Sequence, residues 1–281
     1  MSDERLERRR EARRRTVRRR RIAAVAIAAV ALGALAAAAL AYRHFHREAP
    51  PPVVLRTTTV TIPEGYDRAQ TAKLARQEGL RGDYMEASKG HEGFLFPDTF
   101  ELNRHAPVSD LIALQLQDFK RRVRGVDLSY AKSKNLTLYD VVTIASMVER
   151  EAQLDSERKL IAAVIYNRLR QGIPLGIDAT IRFAVGNYDQ PLSVSELATD
   201  SPYNTRTNAG LPPGPIGSPG LASIEAAAHP ANVDYLYYVV KPEACGEHSF
   251  SSTDAEFQVD VARYNAARAA AGGQSPDSCG D

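Results

Sequence analysis

The chain has 281 residues, of which 44% are hydrophobic and 25% are charged, and its formal net charge is +2. These fractions are ordinary for a folded protein, and the length allows one or two domains with their own cores. The basic excess is confined to residues 1–21, which hold eleven Arg and four acidic residues, so the rest of the chain carries a net charge of −5. Because nucleic-acid binding needs a basic patch on the folded domain, this distribution argues against a nucleic-acid-binding protein.

An apolar segment of twenty residues runs from Ile22 to Ala41, directly after the basic tail. Twelve of these residues are Ala and none is charged. The length matches the roughly 20 residues that a helix needs to cross a bilayer, so we predict one transmembrane helix over residues 22–42. The positive-inside rule then places the tail in the cytoplasm and the rest of the chain outside the cell membrane. The alternative is a cleaved signal peptide, whose apolar region is usually shorter, about 7–15 residues.

Residues 43–53 include three consecutive prolines and predict a short, stiff linker. The body that follows contains the two cysteines, Cys245 and Cys279, and the sequence leaves open whether they form a disulfide. Two cysteines are too few for a structural zinc site, and the six histidines show no metal-binding spacing. Since the chain also lacks a P-loop and a GxGxxG motif, we predict neither a metal nor a cofactor.

The body begins with a predicted strand over residues 57–62, a turn, and an amphipathic helix from Asp67 to Leu80, which together indicate a small α/β unit. The segment 91–100 contains three Phe and two acidic residues. Aromatic rings pack on sugar faces and carboxylates accept hydrogen bonds from sugar hydroxyls, so this segment fits a sugar-binding cleft. A core strand ending at a proline turn is an equally good interpretation.

Apolar residues then recur at helical spacing behind a predicted capping box of Thr137 and Asp140. Near the end of this helix, Glu149 and Glu151 fall on opposite flanks of the apolar stripe. A carboxylate at the rim of a core has a raised pKa and can act as a general acid. A solvated face with local ion pairs explains the same residues, and the pattern alone leaves both interpretations open.

The remaining pattern predicts further helices, one hairpin and two loops. The second of these loops is rich in Pro and Gly, as loops that line a site often are. The predicted elements are a helix at 109–123, a helix from an N-cap at Ser156 to Gly172, a loop at 173–180, a short helix at 193–198, the Pro-rich loop at 201–216, a helix at 218–229, a hairpin of 235–240 with 248–251, and a last helix at 255–270.

Seven sequence blocks in a fixed order carry a resemblance to a known family. They are IPEG (62–65), EGFLFPDTF (92–100), ASMVEREA (145–152), SERKLIAAVIYNRL (156–169), SPYNT (201–205), NAGLPPGPI (208–216) and HPANVDYLYYV (229–239). Behind a single predicted membrane span, they resemble the MltG or YceG-like endolytic murein transglycosylases. The resemblance covers roughly residues 57–258, most of the predicted extracytoplasmic body.

The resemblance implies a catalytic residue and a set of substrate-binding residues. The family's catalytic acid is the second Glu of an E-K-E motif, which falls on Glu151, with Arg150 in place of Lys. The residues implied to line the cleft are Glu92, Asn167, Asp178, Tyr203, Asn204 and Thr205. The chain departs from the family pattern at Gly176, Ala179 and Arg206, where relatives often have Gln, Pro and Tyr, and it lacks a small subdomain that relatives commonly carry before the IPEG block. These departures put substrate contacts in question rather than the acid.

The implied activity is endolytic cleavage of peptidoglycan between N-acetylmuramic acid and N-acetylglucosamine, with formation of 1,6-anhydromuramyl ends and control of nascent strand length. The implied partners are glycan strands and cell-wall synthesis proteins. Two alternatives remain: a two-carboxylate muramidase that uses Glu151 with Asp178 or Glu149, and a non-catalytic peptidoglycan-binding scaffold.

The predicted fold class is α+β, with a single transmembrane helix, a small LysM-like α/β unit and a mainly helical catalytic lobe that carries a minor β-sheet. The predicted boundaries are a basic cytoplasmic tail at 1–21, the transmembrane helix at 22–42, the linker at 43–53, the LysM-like unit at 54–90, the catalytic domain at 91–270 and a disordered tail at 271–281.

Overall fold

A computed structural model describes residues 3–46, 57–242 and 244–273, with side chains from residue 13 onward. Most of the predicted linker, most of the predicted C-terminal tail and Cys279 lie outside these ranges. The disordered tail therefore stays a prediction, and the pairing of Cys245 with Cys279 is as open as the sequence leaves it. The chain divides into two compact units, Met1–Val54 and Leu55–Asp281. The α+β fold class is confirmed, because the second unit combines helices with two small antiparallel sheets.

In the first unit, the described residues form a single helix, α1 (Asp3–Phe45). It includes the basic tail as well as the predicted span, so the Arg-rich residues continue the same helix. Its part from Arg13 to Phe45 is long and apolar enough to cross a membrane. Apolar side chains along it, such as Val25 at 70% and Leu35 at 67% exposure, lie on the surface of the helix. This exposure fits a helix whose apolar surface is covered by lipid.

The second unit is a mainly helical body with two two-stranded sheets. Its elements in chain order are β1 (Thr57–Thr61), α2 (Arg68–Gln77), α3 (Tyr84–Ala87), β2 (Thr99–Asn103), α4 (Val108–Val123), α5 (Ser129–Ser133), α6 (Leu138–Glu151), a 3₁₀ turn (Asp155–Glu157), α7 (Arg158–Gln171), α8 (Asp178–Val185), α9 (Val194–Leu197), α10 (Leu221–Ala228), β3 (Tyr237–Val240), β4 (His248–Ser251) and α11 (Asp254–Ala270). The predicted hairpin and the predicted helices in the regions of α4, α9 and α11 are confirmed.

The small α/β unit has the order strand, helix, helix, strand. β1 pairs antiparallel with β2, with Thr57 opposite Asn103. Asp67 caps α2 in a capping box with Gln70. One apolar cluster beneath this sheet extends from Val60 in β1 to residues of α4. The unit therefore continues past the predicted boundary at residue 90, because β1 needs β2 as its partner and both need α4 to bury their apolar faces.

The larger core is organised around α6. Its residues from Val141 to Val148 are all buried, and it packs against α7, α8 and α10. The predicted capping box is confirmed, since the Thr137 side chain accepts a hydrogen bond from the Asp140 backbone N–H and the Asp140 carboxylate accepts one from the Thr137 N–H. The helix ends at Glu151, and Ala152 leaves in an extended conformation. Glu149 and Glu151, the two acidic residues that match the E-K-E motif, lie in this last turn.

Three local predictions need correction. The second central helix does not begin from an N-cap at Ser156: Glu157 ends the 3₁₀ turn, its carboxylate bonds His248 instead of capping, and α7 begins at Arg158. The predicted loop at 173–180 ends early, because Asp178 starts α8 with an acidic side chain in the first turn, where the helix dipole favours it. The helix predicted from residue 218 begins only at Leu221.

The close approach of Gly93 to the loop before α10 can be tested by substitution. Gly93 has φ +82°, and an added Cβ would lie 2.5 Å from Pro215 Cγ and 3.0 Å from Val142 Cγ1. Gly90 has φ +80° but open space around the same position. Both Gly→Ala changes carry the cost of left-handed backbone, about 1–2 kcal/mol, whereas overpacking adds about 1–3 kcal/mol at Gly93 alone. Urea unfolding of the full chain in detergent should show this difference, and equal losses would contradict the close approach.

Candidate active site

Glu151 is the last residue of α6 and lies against elements from three other parts of the chain. Its Oε2 accepts a hydrogen bond of 3.0 Å from the hydroxyl of Tyr238 in β3. The backbone N–H of Ala179, in the first turn of α8, is also directed at its carboxylate. The side chain keeps only partial contact with solvent. A carboxylate that is buried against a tyrosine and a helix start is a typical environment for a catalytic acid.

Burial raises the pKa of the Glu151 carboxyl, and the nearby Asp178 carboxylate raises it further. The Tyr238 hydroxyl, His248 and the Ala179 N–H act in the opposite direction and favour the ionised form. Burial and the Glu151 carboxylate also raise the pKa of the Tyr238 hydroxyl well above its usual range, so Tyr238 stays protonated and donates. Glu151 therefore holds its proton to a higher pH than an exposed glutamate does, and it is still stabilised as a carboxylate after it releases the proton.

Glu149 faces a different environment, although it is only two residues away. Its Oε1 forms an ion pair of 2.8 Å with Arg158 Nη1, and its Oε2 accepts a 2.9 Å hydrogen bond from the Gly220 N–H at the start of α10. Both side chains of the ion pair are nearly buried, at 6% and 12% exposure. Glu149 is thus neutralised and held in place, so the predicted separation of the two carboxylates is confirmed.

Asp178 lies near Glu151 but is paired with another residue. Its Oδ1 contacts Arg206 Nε at 2.8 Å and Nη2 at 2.6 Å. The two side chains are about half exposed, at 47% and 45%. The pair brings a carboxylate and a guanidinium together at the solvent side of Glu151, where hydroxyl and amide groups of a glycan could reach them.

The three positions that depart from the family pattern all lie around Asp178 and Glu151. Arg206 binds Asp178, and Ala179 supplies the backbone N–H that is directed at Glu151, which a proline could not supply. Gly176 has φ +65° and donates its N–H to the Thr205 carbonyl at 2.9 Å. Two of the departures, Gly176 and Arg206, therefore change the edge of the site, whereas Ala179 adds a backbone donor directed at Glu151.

Thr205 supports the segment that leads to Asp178, and Asn204 supports the chain at the end of α9. Thr205 is buried; its hydroxyl oxygen accepts the Ile177 N–H at 3.0 Å and lies 3.0 Å from Thr180 Oγ1. Asn204 is fully buried and donates from Nδ2 to the carbonyls of Leu197 and Thr199. These contacts hold residues of the site in position, and neither side chain is directed to solvent.

Asn167 has a similar structural role on α7. It is buried, and its Nδ2 donates to the carbonyls of Val233 at 2.8 Å and Tyr235 at 2.9 Å. Both amide hydrogens are thereby used to attach the segment before β3. The contact holds the strand that contains Tyr238, and no contact between Asn167 and Glu151 occurs within the described part of the chain.

Glu92 lies in a separate group of polar residues at the start of α2. Its Oε2 accepts a 3.3 Å hydrogen bond from the Arg68 N–H, while Oε1 is buried with no partner among the described residues. Burial and the neighbouring Asp67 carboxylate raise the pKa of Glu92 to about 7. Asp67 is buried too and accepts a hydrogen bond from the Tyr188 hydroxyl.

Tyr203 connects these regions. Its ring packs on Phe183 of α8 with centroids 4.9 Å apart, and its hydroxyl lies close enough to Tyr139 and Glu92 for their charges to raise its pKa, although burial is the larger cause. Its half-buried ring thus lies between the helix that starts at Asp178 and the Glu92 group. An aromatic surface of this kind suits the face of a sugar ring.

The structure therefore brings Glu151 and Asp178 together, and places Thr205, Asn204 and Asn167 behind them as supports. Tyr238 is the residue that the sequence analysis missed. The available signal was the aromatic density of the block at 229–239, which marked a strand without indicating which ring would reach the acid.

Comparisons with known proteins agree on the relationship. A model of the YceG-like family matches residues 35–263. An endolytic murein transglycosylase of Bacillus subtilis (strain 168) is 37% identical over 174 residues, which are 62% of this chain and 48% of that protein. One from Streptococcus pneumoniae (strain ATCC BAA-255 / R6) is 34% identical over 223 residues, with 64% of this chain and 40% of that protein covered. The chain thus spans about half the length of the curated relatives it matches.

A solved structure shares the fold. The crystal structure of a putative yceG-like protein from Listeria monocytogenes superposes with a TM-score of 0.63 at 27% identity, and the match covers 72% of this chain and 75% of that one.

The raised pKa of Glu92 predicts a specific pH dependence of stability. A carboxyl whose pKa rises from about 4.5 when unfolded to about 7 when folded contributes stability at low pH that is lost as the pH rises through this window. Glu92→Gln has no carboxyl to titrate. The difference in unfolding free energy between the variant and the parent should therefore shift by about 2 kcal/mol in favour of the variant from pH 5 to pH 8. Urea unfolding at both pH values checks this, with the exposed Glu225→Gln as a control that should show no such gain.

Proposed function

Because the chain belongs to the YceG-like family, we propose that it is a membrane-anchored lytic transglycosylase that cleaves peptidoglycan strands internally, between N-acetylmuramic acid and N-acetylglucosamine. The observation that carries this proposal is the environment of Glu151. It combines a raised pKa, a hydroxyl donor that stays protonated and a position beside exposed polar groups. A single acid in this setting can both give and take a proton.

The first step is a proton transfer from Glu151 to the glycosidic oxygen. The bond between C1 of the muramyl residue and that oxygen breaks, and the N-acetylglucosamine part leaves as an alcohol. Positive charge develops at the muramyl C1, and Glu151 becomes a carboxylate next to it. The Tyr238 hydroxyl and the Ala179 N–H then stabilise this carboxylate, since both favour its ionised form.

The second step closes a ring within the substrate. Glu151 takes the proton of the muramyl 6-hydroxyl, and the freed oxygen bonds C1 to give a 1,6-anhydromuramyl end. No water is consumed, and Glu151 is protonated again for the next cycle. The attacking hydroxyl belongs to the same sugar, so it has the advantage of an intramolecular nucleophile.

The pairing of the other carboxylates favours this route over a two-carboxylate hydrolysis. A hydrolase would need a second acidic residue that is free to activate water or to attack C1. Glu149 is neutralised by Arg158 and bound to the backbone of Gly220, and Asp178 is paired with Arg206. Neither matches a free general base, whereas an internal hydroxyl makes a second base unnecessary.

The substrate-binding residues are also part of this proposal. We assign Tyr203 a stacking role against a sugar ring, and Asp178 and Arg206 polar contacts to the glycan at the exposed edge of the site. Glu92, which is largely protonated below pH 7, can donate a hydrogen bond from a neighbouring subsite. Asn167, Asn204 and Thr205 act through the loops that they hold.

The cellular setting follows from the anchor. The apolar part of α1 holds the body at the cell membrane, with the Arg-rich end in the cytoplasm and the catalytic body outside. Glycan strands emerging near the membrane are then the substrate, so cleavage limits their length. Cell-wall synthesis proteins are the partners that this position favours, whereas a non-catalytic scaffold would have no use for a tuned acid.

The products decide the reaction class. The full chain in detergent, incubated with peptidoglycan and examined by mass spectrometry, should release fragments with 1,6-anhydromuramyl ends. Glu151→Gln should lower this activity by at least about 100-fold, the usual contribution of a general acid and base. Reducing-end products would instead indicate a hydrolase, and retained activity of Glu151→Gln would exclude Glu151 as the acid.

A matched substitution two residues away separates catalysis from folding. Glu149→Gln removes one charge of the buried ion pair with Arg158 and should lower the free energy of unfolding by about 3 kcal/mol. Glu151→Gln should leave the unfolding free energy at pH 7 unchanged or raised, because a neutral side chain avoids the cost of an ionised carboxylate in a buried position. Urea unfolding of both variants checks this, and an equal loss in both would contradict the assignment of separate roles.

A further inference from the structure

Tyr238, the side-chain donor to Glu151, is held by the strand opposite it. In the antiparallel register Tyr238 lies opposite Phe250 and Val240 lies opposite His248. Side chains of directly opposed residues share a face of the hairpin, so His248 and Phe250 both lie beside Tyr238. The His248 ring meets the Tyr238 ring edge-on, with centroids 5.3 Å apart and an interplanar angle of 86°. The direction of the Tyr238 hydroxyl therefore depends on where the His248 ring is held.

Glu157 holds His248 at two points, one on the backbone and one on the ring. Its Oε1 accepts the backbone N–H of His248 at 2.7 Å, and its Oε2 lies 2.7 Å from His248 Nδ1. The two side chains are buried, at 5% and 7% exposure. Because a carboxylate can only accept, Nδ1 carries the hydrogen and the orientation of the ring is determined. Glu157, directly before α7, thus fixes both the backbone and the ring of His248, the first residue of β4.

The general attachment of the hairpin does not need this pair. Asn167 already binds the Tyr235 carbonyl, and Arg168 Nε donates to the Leu236 carbonyl at 2.5 Å. Both bonds reach the chain just before β3. A buried pair of ionisable groups is rarely better for stability than apolar residues of the same size. What Glu157 and His248 add is control of a ring that touches Tyr238.

We propose that Glu157 and His248 are positioning residues for the acid: Glu157 fixes the His248 ring, this ring fixes Tyr238, and the Tyr238 hydroxyl orients Oε2 of Glu151 for proton transfer. This inference rests on the proposed function of Glu151. Apart from the charge of His248, which favours the ionised form of Glu151 directly, the residues act through Tyr238, and they have no assigned contact with the glycan. Their loss should therefore lower kcat and leave KM unchanged.

A double-mutant cycle tests the linkage through Tyr238. The full chain in detergent is assayed on soluble, uncross-linked glycan strands, with Tyr238→Phe, Glu157→Gln and the double variant measured side by side. In Glu157→Gln the single side-chain carbonyl oxygen can still accept the His248 backbone N–H, and the side chain then presents an NH2 donor to Nδ1. Each single change should lower kcat about tenfold, the effect of one lost hydrogen bond in the transition state, with KM within about twofold. The double variant should be no slower than Tyr238→Phe alone, because the pair then has no hydroxyl to position. A product of the two effects, near a hundredfold, would overturn the proposal.

A second variant keeps the test decisive if Glu157→Gln is poorly folded. His248→Asn retains an N–H at the position of Nδ1, because Asn Nδ2 is separated from Cα by the same number of bonds, and it removes the ring beside Tyr238. It should fold with a lower free energy of unfolding, because the missing ring leaves a cavity, and it should lose about tenfold in kcat. Parental kcat in a folded His248→Asn variant would overturn the proposal.

Glu151→Gln in the same assay separates this inference from the proposed function. If Glu151→Gln stays active, the assignment of the acid fails. If it is inactive and the kcat losses of Tyr238→Phe and Glu157→Gln multiply in the double variant, only the positioning role fails.

Discussion

The burial of the central part of α6, from Val141 to Val148, is the constraint on which the site depends. Residues Val141–Val148 are enclosed by α7, α8 and α10, so the helix cannot rotate or shift without opening the core. Its last turn therefore presents two carboxylates in fixed and opposite directions. Glu149 meets Arg158 and the start of α10, and is neutralised. Glu151 meets Tyr238 and the start of α8, and no Arg or Lys of the described residues forms an ion pair with it, so the desolvation of its carboxylate outweighs the groups that favour its ionised form.

The surroundings of Glu151 come from segments that are distant in the chain. Asp178 belongs to α8, which Thr205 fastens from a Pro-rich loop, and Tyr238 belongs to a hairpin that Asn167 fastens from α7. Several residues implied to bind substrate are thus buried and act as supports. Such residues matter to activity because a displacement of about 1 Å at a catalytic group is costly.

The small α/β unit is connected to the larger helical lobe through α4. Its sheet joins β1 and β2, and its core includes residues of α4, so it is continuous with the larger lobe at that helix. Gly93 lies at the close contact between the aromatic segment and the loop at Pro215. The Glu92 group beside it is held by backbone and tyrosine contacts. In the segment 91–100 the core-strand interpretation is confirmed for Phe100, which is buried in β2, whereas a contact of Glu92 with sugars stays a proposal.

The sequence by itself determined the features that depend on local pattern. The apolar run of α1, the capping box of Thr137, the end of α7 at Gly172 and the opposite directions of Glu149 and Glu151 all follow from periodicity and backbone preference. The tertiary structure alone decided which partner each carboxylate meets. Arg158, Tyr238 and Arg206 are placed by packing between elements that local pattern does not relate, and the 3₁₀ turn at Glu157 replaces a predicted N-cap because a distant His248 binds its carboxylate. Local preferences amount to about 1 kcal/mol each, so contacts of this kind override them.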